Sequence, residues 1–200
     1  AGKYYVAVAA VGTVYDTTTY QIKVNHTAGA YWEKESNDTF DTANTIALEK
    51  TYSGSIQKSS DKDYYKVTLT ADGALRVNFA HPSVSGRESN YVWKVSLYKD
   101  SDRSNAIYSQ SIYGGDMNTA LPQMGLKAGS YYVCVESATL SDTSTYQIST
   151  SFIKSSYWEM EPNNSTTTAT EIKNLDKTYF GSIHKLADVD YYKVTLEGAG

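Results

Sequence analysis

Asp63-Tyr64-Tyr65-Lys66-Val67-Thr68-Leu69 alternates strictly, with Tyr65, Val67 and Leu69 on one side and Tyr64, Lys66 and Thr68 on the other. A period of two is that of a β-strand with one face turned to a core, because successive side chains of an extended chain project to opposite sides. The same seven residues return unchanged as Asp190-Tyr191-Tyr192-Lys193-Val194-Thr195-Leu196. Three further segments recur, one unchanged and two with a single substitution each. Ala1-Gly2-Lys3-Tyr4-Tyr5-Val6 returns as Ala128-Gly129-Ser130-Tyr131-Tyr132-Val133, and Thr19-Tyr20-Gln21-Ile22 as Thr145-Tyr146-Gln147-Ile148. Tyr31-Trp32-Glu33-Lys34-Glu35 returns as Tyr157-Trp158-Glu159-Met160-Glu161. In the order Ala1, Thr19, Tyr31, Asp63, the offsets are 127, 126, 126 and 127, so one period with single-residue slips runs through the chain.

On this period residues 1–30 are the C-terminal strands of a preceding repeat, 31–156 a complete β-sandwich repeat and 157–200 the N-terminal part of the next. Thirty residues are too few to bury a core alone, so the tail is expected to be completed by neighbouring sequence or by another copy. A trimmed natural duplication is the alternative, and it leaves two open half-sandwiches with unpaired strand edges.

Alternation continues elsewhere. Leu75, Val77 and Phe79 alternate with Arg76 and Asn78; Trp93, Val95 and Leu97 with Lys94 and Ser96; Tyr131, Val133 and Val135 share a face; and Tyr146, Ile148, Thr150 and Phe152 close the repeat. Turn-rich stretches separate them at Pro82–Asn90, Lys99–Asn105, Gly114–Asn118 and Leu140–Ser144. Asn37–Leu48 alone has apolar residues (Phe40, Ala43, Ala47) at helical spacing. Tyrosine supplies 19 of the 26 aromatic residues, a bias that suits pleated surfaces. The expected fold is all-β, a jelly-roll-like antiparallel β-sandwich repeated in tandem.

The formal net charge of −4 and the lack of a basic cluster exclude a field for nucleic acid or an anionic membrane. No apolar run approaches the roughly 20 residues that cross a bilayer as a helix. Cys134 is the single cysteine, so no disulfide forms within the chain.

The order Glu35-Ser36-Asn37-Asp38-Thr39, Asp41-Thr42-Ala43-Asn44-Thr45-Ile46, Gly54-Ser55-Ile56 and Asp61-Lys62-Asp63-Tyr64-Tyr65 resembles the bacterial pre-peptidase C-terminal domain. The second copy matches better, with Glu161-Pro162-Asn163-Asn164-Ser165, Ala169-Thr170-Glu171-Ile172, Gly181-Ser182-Ile183 and Asp188-Val189-Asp190-Tyr191-Tyr192. The resemblance implies a sandwich appended to secreted proteases and surface proteins, similar to the collagen-binding domains of clostridial collagenases, which bind calcium near the start of the module. Carried over by motif, the implied ligands are Glu33, Glu35, Asn37, Asp38, Asp61 and Asp63. In the next copy they are Glu159, Glu161, Asn163, Asn164, Asp188 and Asp190. Calcium takes six to eight hard oxygen ligands, which two short acidic clusters can supply. Solvated loop acids at a repeat junction would give the same pattern. Asn164 stands where the first copy has Asp38, so the second site is expected to be the weaker. The family's collagen-binding surface is tyrosine-lined; a solvent-facing Tyr64, or Tyr91, Tyr108 and Tyr113, would suit such a patch, but edge and cross-strand packing is the role expected of them.

The chain lacks Gly-x-Ser-x-Gly, His-Glu-x-x-His and a phosphate-binding glycine loop. Within the repeat His184 stands opposite Gln57, His26 opposite Phe152 and Cys134 opposite Ala7, so none of the three is required by the module. His81 beside Pro82 reads as a surface loop residue. Glu33 and Glu35 as a glycosidase pair would need a cleft that a junction does not offer.

These readings give a non-catalytic repeat of a secreted or cell-surface bacterial protein. It acts as a stalk, fibre or surface array with calcium-stiffened junctions, its partners being neighbouring repeats or copies of itself. The alternative is a binding module for collagen, another matrix protein or a polysaccharide, attached to a secreted peptidase or adhesin. A third possibility is assistance to an attached peptidase's secretion or maturation.

Overall fold

A computed structural model describes residues 3–13, 17–26, 29–139 and 142–198. The chain divides into two compact units, 1–30 and 31–200. The described residues of 1–30 form no strand, and Tyr4, Tyr5, Val6, Tyr20 and Ile22 are exposed. The alternation is there, but a segment this short has no sheet of its own to pair with. Ala1 and Gly2 of its repeat motif, and Leu140 and Ser141 of the expected Leu140–Ser144 turn, lie outside the described residues.

Residues 31–200 hold twelve strands among the described residues. They are β1 (Asn44–Thr45), β2 (Thr51–Gly54), β3 (Lys62–Leu69), β4 (Gly73–Ala80), β5 (Tyr91–Lys99) and β6 (Asp102–Tyr113). There follow β7 (Asn118–Ala120), β8 (Met124–Leu126), β9 (Gly129–Ser137), β10 (Tyr146–Lys154), β11 (Thr170–Ile172) and β12 (Tyr192–Val194). One sheet has the order β1-β3-β9-β5-β6 and the other β2-β10-β4-β7, with β8 also on β4. Pairing within both sheets is antiparallel, except for the two-residue parallel pair of β1 with β3. From β1 to β10 the chain changes sheet at every link but β5–β6 and β7–β8. That is the wrapped connectivity of a jelly-roll-like sandwich.

The alternating residues meet between the sheets. Tyr65, Val67 and Leu69 of β3 and Val133 and Val135 of β9 face Leu75, Val77 and Phe79 of β4 and Ile148 of β10 in one core cluster. Each such buried side chain contributes about 1.5–3 kcal/mol. Cys134 is a free thiol packed on the other face of β9, and burial pushes its pKa up to about 12.

Two sequence expectations fail here, the helical turn and the surface His81, while Tyr64 takes the packing role expected of it. Asn37–Leu48 forms a turn and then β1, with no helix. Its Phe40 lies over the outer face of the first sheet, with its ring 4.5 Å from Tyr64, 5.1 Å from Tyr132 and 5.4 Å from Tyr98. The Arg103 guanidinium stacks over the Phe40 and Tyr132 rings and pairs with Asp41 and Asp100. Tyr64 is therefore buried instead of solvent-facing. His81 is buried too: its ring lies 4.1 Å from that of Trp93, and its Nδ1 is 2.8 Å from the Pro82 carbonyl. Tyr91 and Tyr113 stack across β5 and β6 at 4.2 Å, with the Tyr113 hydroxyl donating to that of Tyr91 at 2.9 Å.

Residues 157–198 reproduce part of the frame of the first copy: β11 and β12 stand for β1 and a piece of β3, and β2 has only an isolated bridge at Phe180 as its counterpart. β11 pairs parallel with β12 from Thr170↔Tyr192, as β1 does with β3 from Asn44↔Tyr65. The bridges Trp32↔Ser53 and Trp158↔Phe180 correspond as well. This half-module packs on the complete sandwich through β8. The Glu161 N–H donates to the Gly125 carbonyl at 2.9 Å, Ser182 Oγ to that of Gln123 at 2.7 Å and Lys185 Nζ to that of Ile107 at 3.1 Å.

Candidate metal centre

Strand alternation explains why acids gather at the start of β3. Asp61, Asp63 and Tyr65 fall on one side, while Lys62 falls on the other and pairs with Glu136 at 2.7 Å. The residue 31–38 linker runs beside β2, with Glu33 N–H donating to the Ser53 carbonyl and Ser53 N–H to that of Tyr31. This places Glu33 over Gly54, where an added Cβ would meet the Tyr65 hydroxyl, Glu33 Oε2 and the Tyr146 hydroxyl.

The polar network there is dense. Ser55 N–H donates to Glu33 Oε1 at 2.6 Å and the Tyr65 hydroxyl to Glu33 Oε2 at 2.9 Å. The Tyr146 hydroxyl donates to Asp63 Oδ2 at 2.5 Å. Gln57 gives its N–H to Asp61 Oδ2 at 2.6 Å and its side-chain amide to Glu35 Oε1 at 2.9 Å. Backbone and hydroxyl donors thus hold the carboxylates from outside, leaving other oxygens turned toward one another.

Two groups result, each with one ligand atom per residue inside 4.8 Å: Glu33, Glu35 and Asp63, and Glu35, Asp38 and Asp61. Glu35 belongs to both. The Asn37 side chain is fully buried, and one atom of its amide sits 2.9 Å from Glu35 Oε2 and 3.1 Å from Asp63 Oδ1. With nitrogen there it donates to both; with oxygen there it is another ligand for a cation.

The acids feel their confinement. Burial, then Glu33, pushes Asp63 up to about 9. Burial also raises Glu33, Glu35 and Asp61 above their ordinary values, with neighbouring carboxylates adding to it for Glu35 and Asp61. Buried groups that resist ionisation this way are what a cation relieves.

The second copy reproduces the frame. Ser182 N–H donates to Glu159 Oε1, the Tyr192 hydroxyl to Glu159 Oε2 at 3.1 Å and His184 N–H to Asp188 Oδ2 at 3.0 Å. Tyr191 N–H donates to the Asn163 carbonyl at 3.1 Å, as Tyr64 N–H does to that of Asn37 at 3.0 Å. Glu159, Glu161 and Asp190 form one group, and burial, then Glu159, pushes Asp190 up to about 6. Buried Glu161 Oε1, Asn163 Oδ1 and Asp190 Oδ1 have no hydrogen-bond partner. Unpaired buried oxygens of this kind are costly unless something cationic meets them.

The remaining group is Glu161, His184 and Asp188, all three buried. Sequence reasoning passed over His184, because the internal comparison with Gln57 made it look dispensable. Asn164 sits at the margin, its amide 3.0 Å from Asp188 Oδ1 and 3.2 Å from the Val189 carbonyl. All the other expected ligands are drawn into the clusters.

The arrangement defines a β-sandwich with an oxygen-rich cluster of side chains where the 31–38 segment crosses β2 and β3. A 104-residue stretch, 52% of the chain, is 31% identical to collagenase ColT of Clostridium tetani. It spans 10% of that protein's length. Among solved structures, the chain is similar to the pre-peptidase C-terminal domain of a Bacillus anthracis collagenase. The TM-score is 0.43 and the identity 21%, over 54% of this chain and 93% of that one. The periplasmic g-type lysozyme inhibitor PliG of Aeromonas hydrophila gives a TM-score of 0.41 and 14% identity, over 56% and 96% of the two chains. No family model matches the chain. The stretch similar to collagenase ColT is consistent with the group that the sequence motifs resemble.

Proposed function

We propose that the chain is a non-catalytic structural repeat of a secreted or cell-surface protein in which calcium fixes the linker leading into each sandwich. The observation that carries this reading is the Glu33–Glu35–Asn37–Asp38–Asp61–Asp63 constellation. Its carboxylate atoms lie in two groups within 4.8 Å that share Glu35. Calcium–oxygen bonds of about 2.3–2.6 Å put opposed ligands roughly 5 Å apart, so each group is the right size for one ion. Only hard oxygen donors are present in the first copy, which favours calcium over softer metals. A cation there ties residues 33–38 to β3, and its counterpart in the second copy ties 159–163 to residues 188–190.

The test is thermal unfolding of the 200-residue chain with excess calcium and with a chelator. At about 100 times its dissociation constant, a ligand of the folded state adds roughly 2.7 kcal/mol. For a unit of this size that is a rise of about 5–10 °C. The rise is expected to shrink in Glu35→Ala, which removes the shared ligand of the first linker. An unchanged melting curve with calcium overturns the proposal.

A second reading is binding of collagen or another matrix component, favoured by the similarity to collagenase ColT. The stacked Tyr91–Tyr113 pair, 40% and 37% exposed, is one exposed aromatic surface for it. Retention on fibrillar collagen, reduced by Tyr91→Ala with Tyr113→Ala, is the expected result. Passage of the parent chain straight through the matrix removes this reading.

A further inference from the structure

The two linkers are built alike but end in different donor chemistry. In the first, the outer group is three carboxylates, Glu35, Asp38 and Asp61. In the second, Asn164 takes the place of Asp38 and His184 that of Gln57, so the outer group becomes Glu161, His184 and Asp188. One carboxylate is lost and one imidazole gained in the same few ångströms.

His184 is aimed into that group. Its side chain is 1% exposed, and Nδ1 lies 3.1 Å from Glu161 Oε1 and 2.8 Å from Asp188 Oδ2. Neither contact has hydrogen-bond geometry; both ring nitrogens and Glu161 Oε1 are buried without a hydrogen-bond partner. The ring edge rests against Tyr108, 5.8 Å between centroids, so the preceding sandwich shields it. Burial lowers the imidazole's pKa, but the Glu161 and Asp188 carboxylates outweigh it and leave it raised.

We infer that Glu161, His184 and Asp188 form a site for a small borderline transition cation, zinc being the natural occupant, distinct in metal preference from the all-oxygen first linker. The inference rests on the reading of the linkers as metal sites and names the ion for one of them. Imidazole nitrogen suits zinc and its neighbours far better than calcium, which takes oxygen ligands almost alone. Ligands each about 2.1 Å from one small tetrahedral ion lie roughly 3.4 Å from each other, so an ion among these groups needs Nδ1 to draw back by only about 0.3–0.6 Å from its 3.1 and 2.8 Å separations from the two carboxylates. Three protein donors leave a fourth position for water. The adjacent Glu159, Asn163 and Asp190 oxygens remain for a hard cation beside it, with Glu161 shared.

The experiment titrates the metal-stripped 200-residue chain with zinc alone, with calcium alone and with cobalt(II) as a visible reporter of nitrogen ligation. One tight zinc equivalent is expected, with a cobalt spectrum indicating a nitrogen ligand and a zinc-dependent shift of the His184 imidazole signals by NMR. His184→Gln installs the residue already accommodated at position 57, and it should weaken zinc binding at least 10-fold with calcium binding kept. The reciprocal Gln57→His should add a second zinc equivalent. Zinc binding that is unaffected by His184→Gln, or absent from the parent chain, overturns the inference. Calcium binding with no His184-dependent zinc site defeats this inference alone. His184-dependent zinc binding with no calcium response defeats the calcium proposal alone.

Discussion

Asp63 carries the heaviest electrostatic load of any single residue in the first linker. It is fully buried, next to Glu33 and below Asp61, and its pKa stands at about 9 against an ordinary 3.8. Below the ordinary value the folded and unfolded chains both keep the proton, and burial carries no ionic penalty. Above it the unfolded chain releases the proton while the folded chain holds it, so this stability is lost progressively up to the folded value. Glu33, Glu35 and Asp61 are raised and act in the same direction. Glu136 acts oppositely: burial raises it, but Lys62 and Lys94 prevail and leave it below 4.5, so its contribution is complete above that range. The metal-free protein is therefore expected to melt at falling temperatures from about pH 5 to about pH 9. Asp63→Asn should flatten the decline, and saturating calcium should cancel it, since the cation favours the ionised form. Melting temperatures in chelator that climb across that range would contradict this account.

At the scale of elements, the strands with one buried face were the legible part. Tyr65, Val67 and Leu69, or Leu75, Val77 and Phe79, write their orientation into a period of two, and both triplets lie in the core. The phase of β3 also fixed that Asp61 and Asp63 point together while Lys62 points away. What the period could not carry was the cover on the outer face. Phe40 reads like one residue of a helical turn, because the same three- and four-residue spacings arise when a turn leads into a two-residue strand. Its burial of Tyr64, Tyr98 and Tyr132 depends on tertiary contacts across three strands. His81 was misplaced for a similar reason, since a Pro neighbour marks a loop without saying that Trp93 lies beneath it. The acidic clusters were legible as sets, through repetition of Glu-x-Glu-x-Asn. The donor frame around them was not: Ser55 N–H, Tyr65 and Tyr146 converge from β2–β3 and β10, and Gly54 leaves the room. His184 had a signal that the internal comparison held, namely its coincidence with the loss of Asp38's charge at Asn164.

For the whole molecule, the question is what holds residues 157–198 on the complete sandwich. The linker from residue 157 lies against β8, and Glu161 N–H donates to the Gly125 carbonyl. A Cβ at Gly125 would run into the Glu159 carbonyl, a backbone group that cannot rotate aside. The same Glu159 and Glu161 supply carboxylates to the second cluster, so the proposed metal site and docking on β8 use one short segment. Two consequences follow from that sharing. Stripping the metal should loosen the linker even though no β8 residue is a ligand, because three buried acids, Glu159, Glu161 and Asp188, and the half-buried Asp190 are then left facing one another. Gly125→Val should loosen it with metal present, and should weaken metal binding from outside the cluster. Limited proteolysis reads both: cleavage within residues 155–165 is expected to be slow in calcium, and faster in chelator or in Gly125→Val. Steric overlap of this kind typically costs about 1–3 kcal/mol, enough to raise the open fraction roughly 5- to 150-fold if it falls on the docking step. Cleavage at equal rates in all three samples would show that neither β8 nor a bound metal holds the linker.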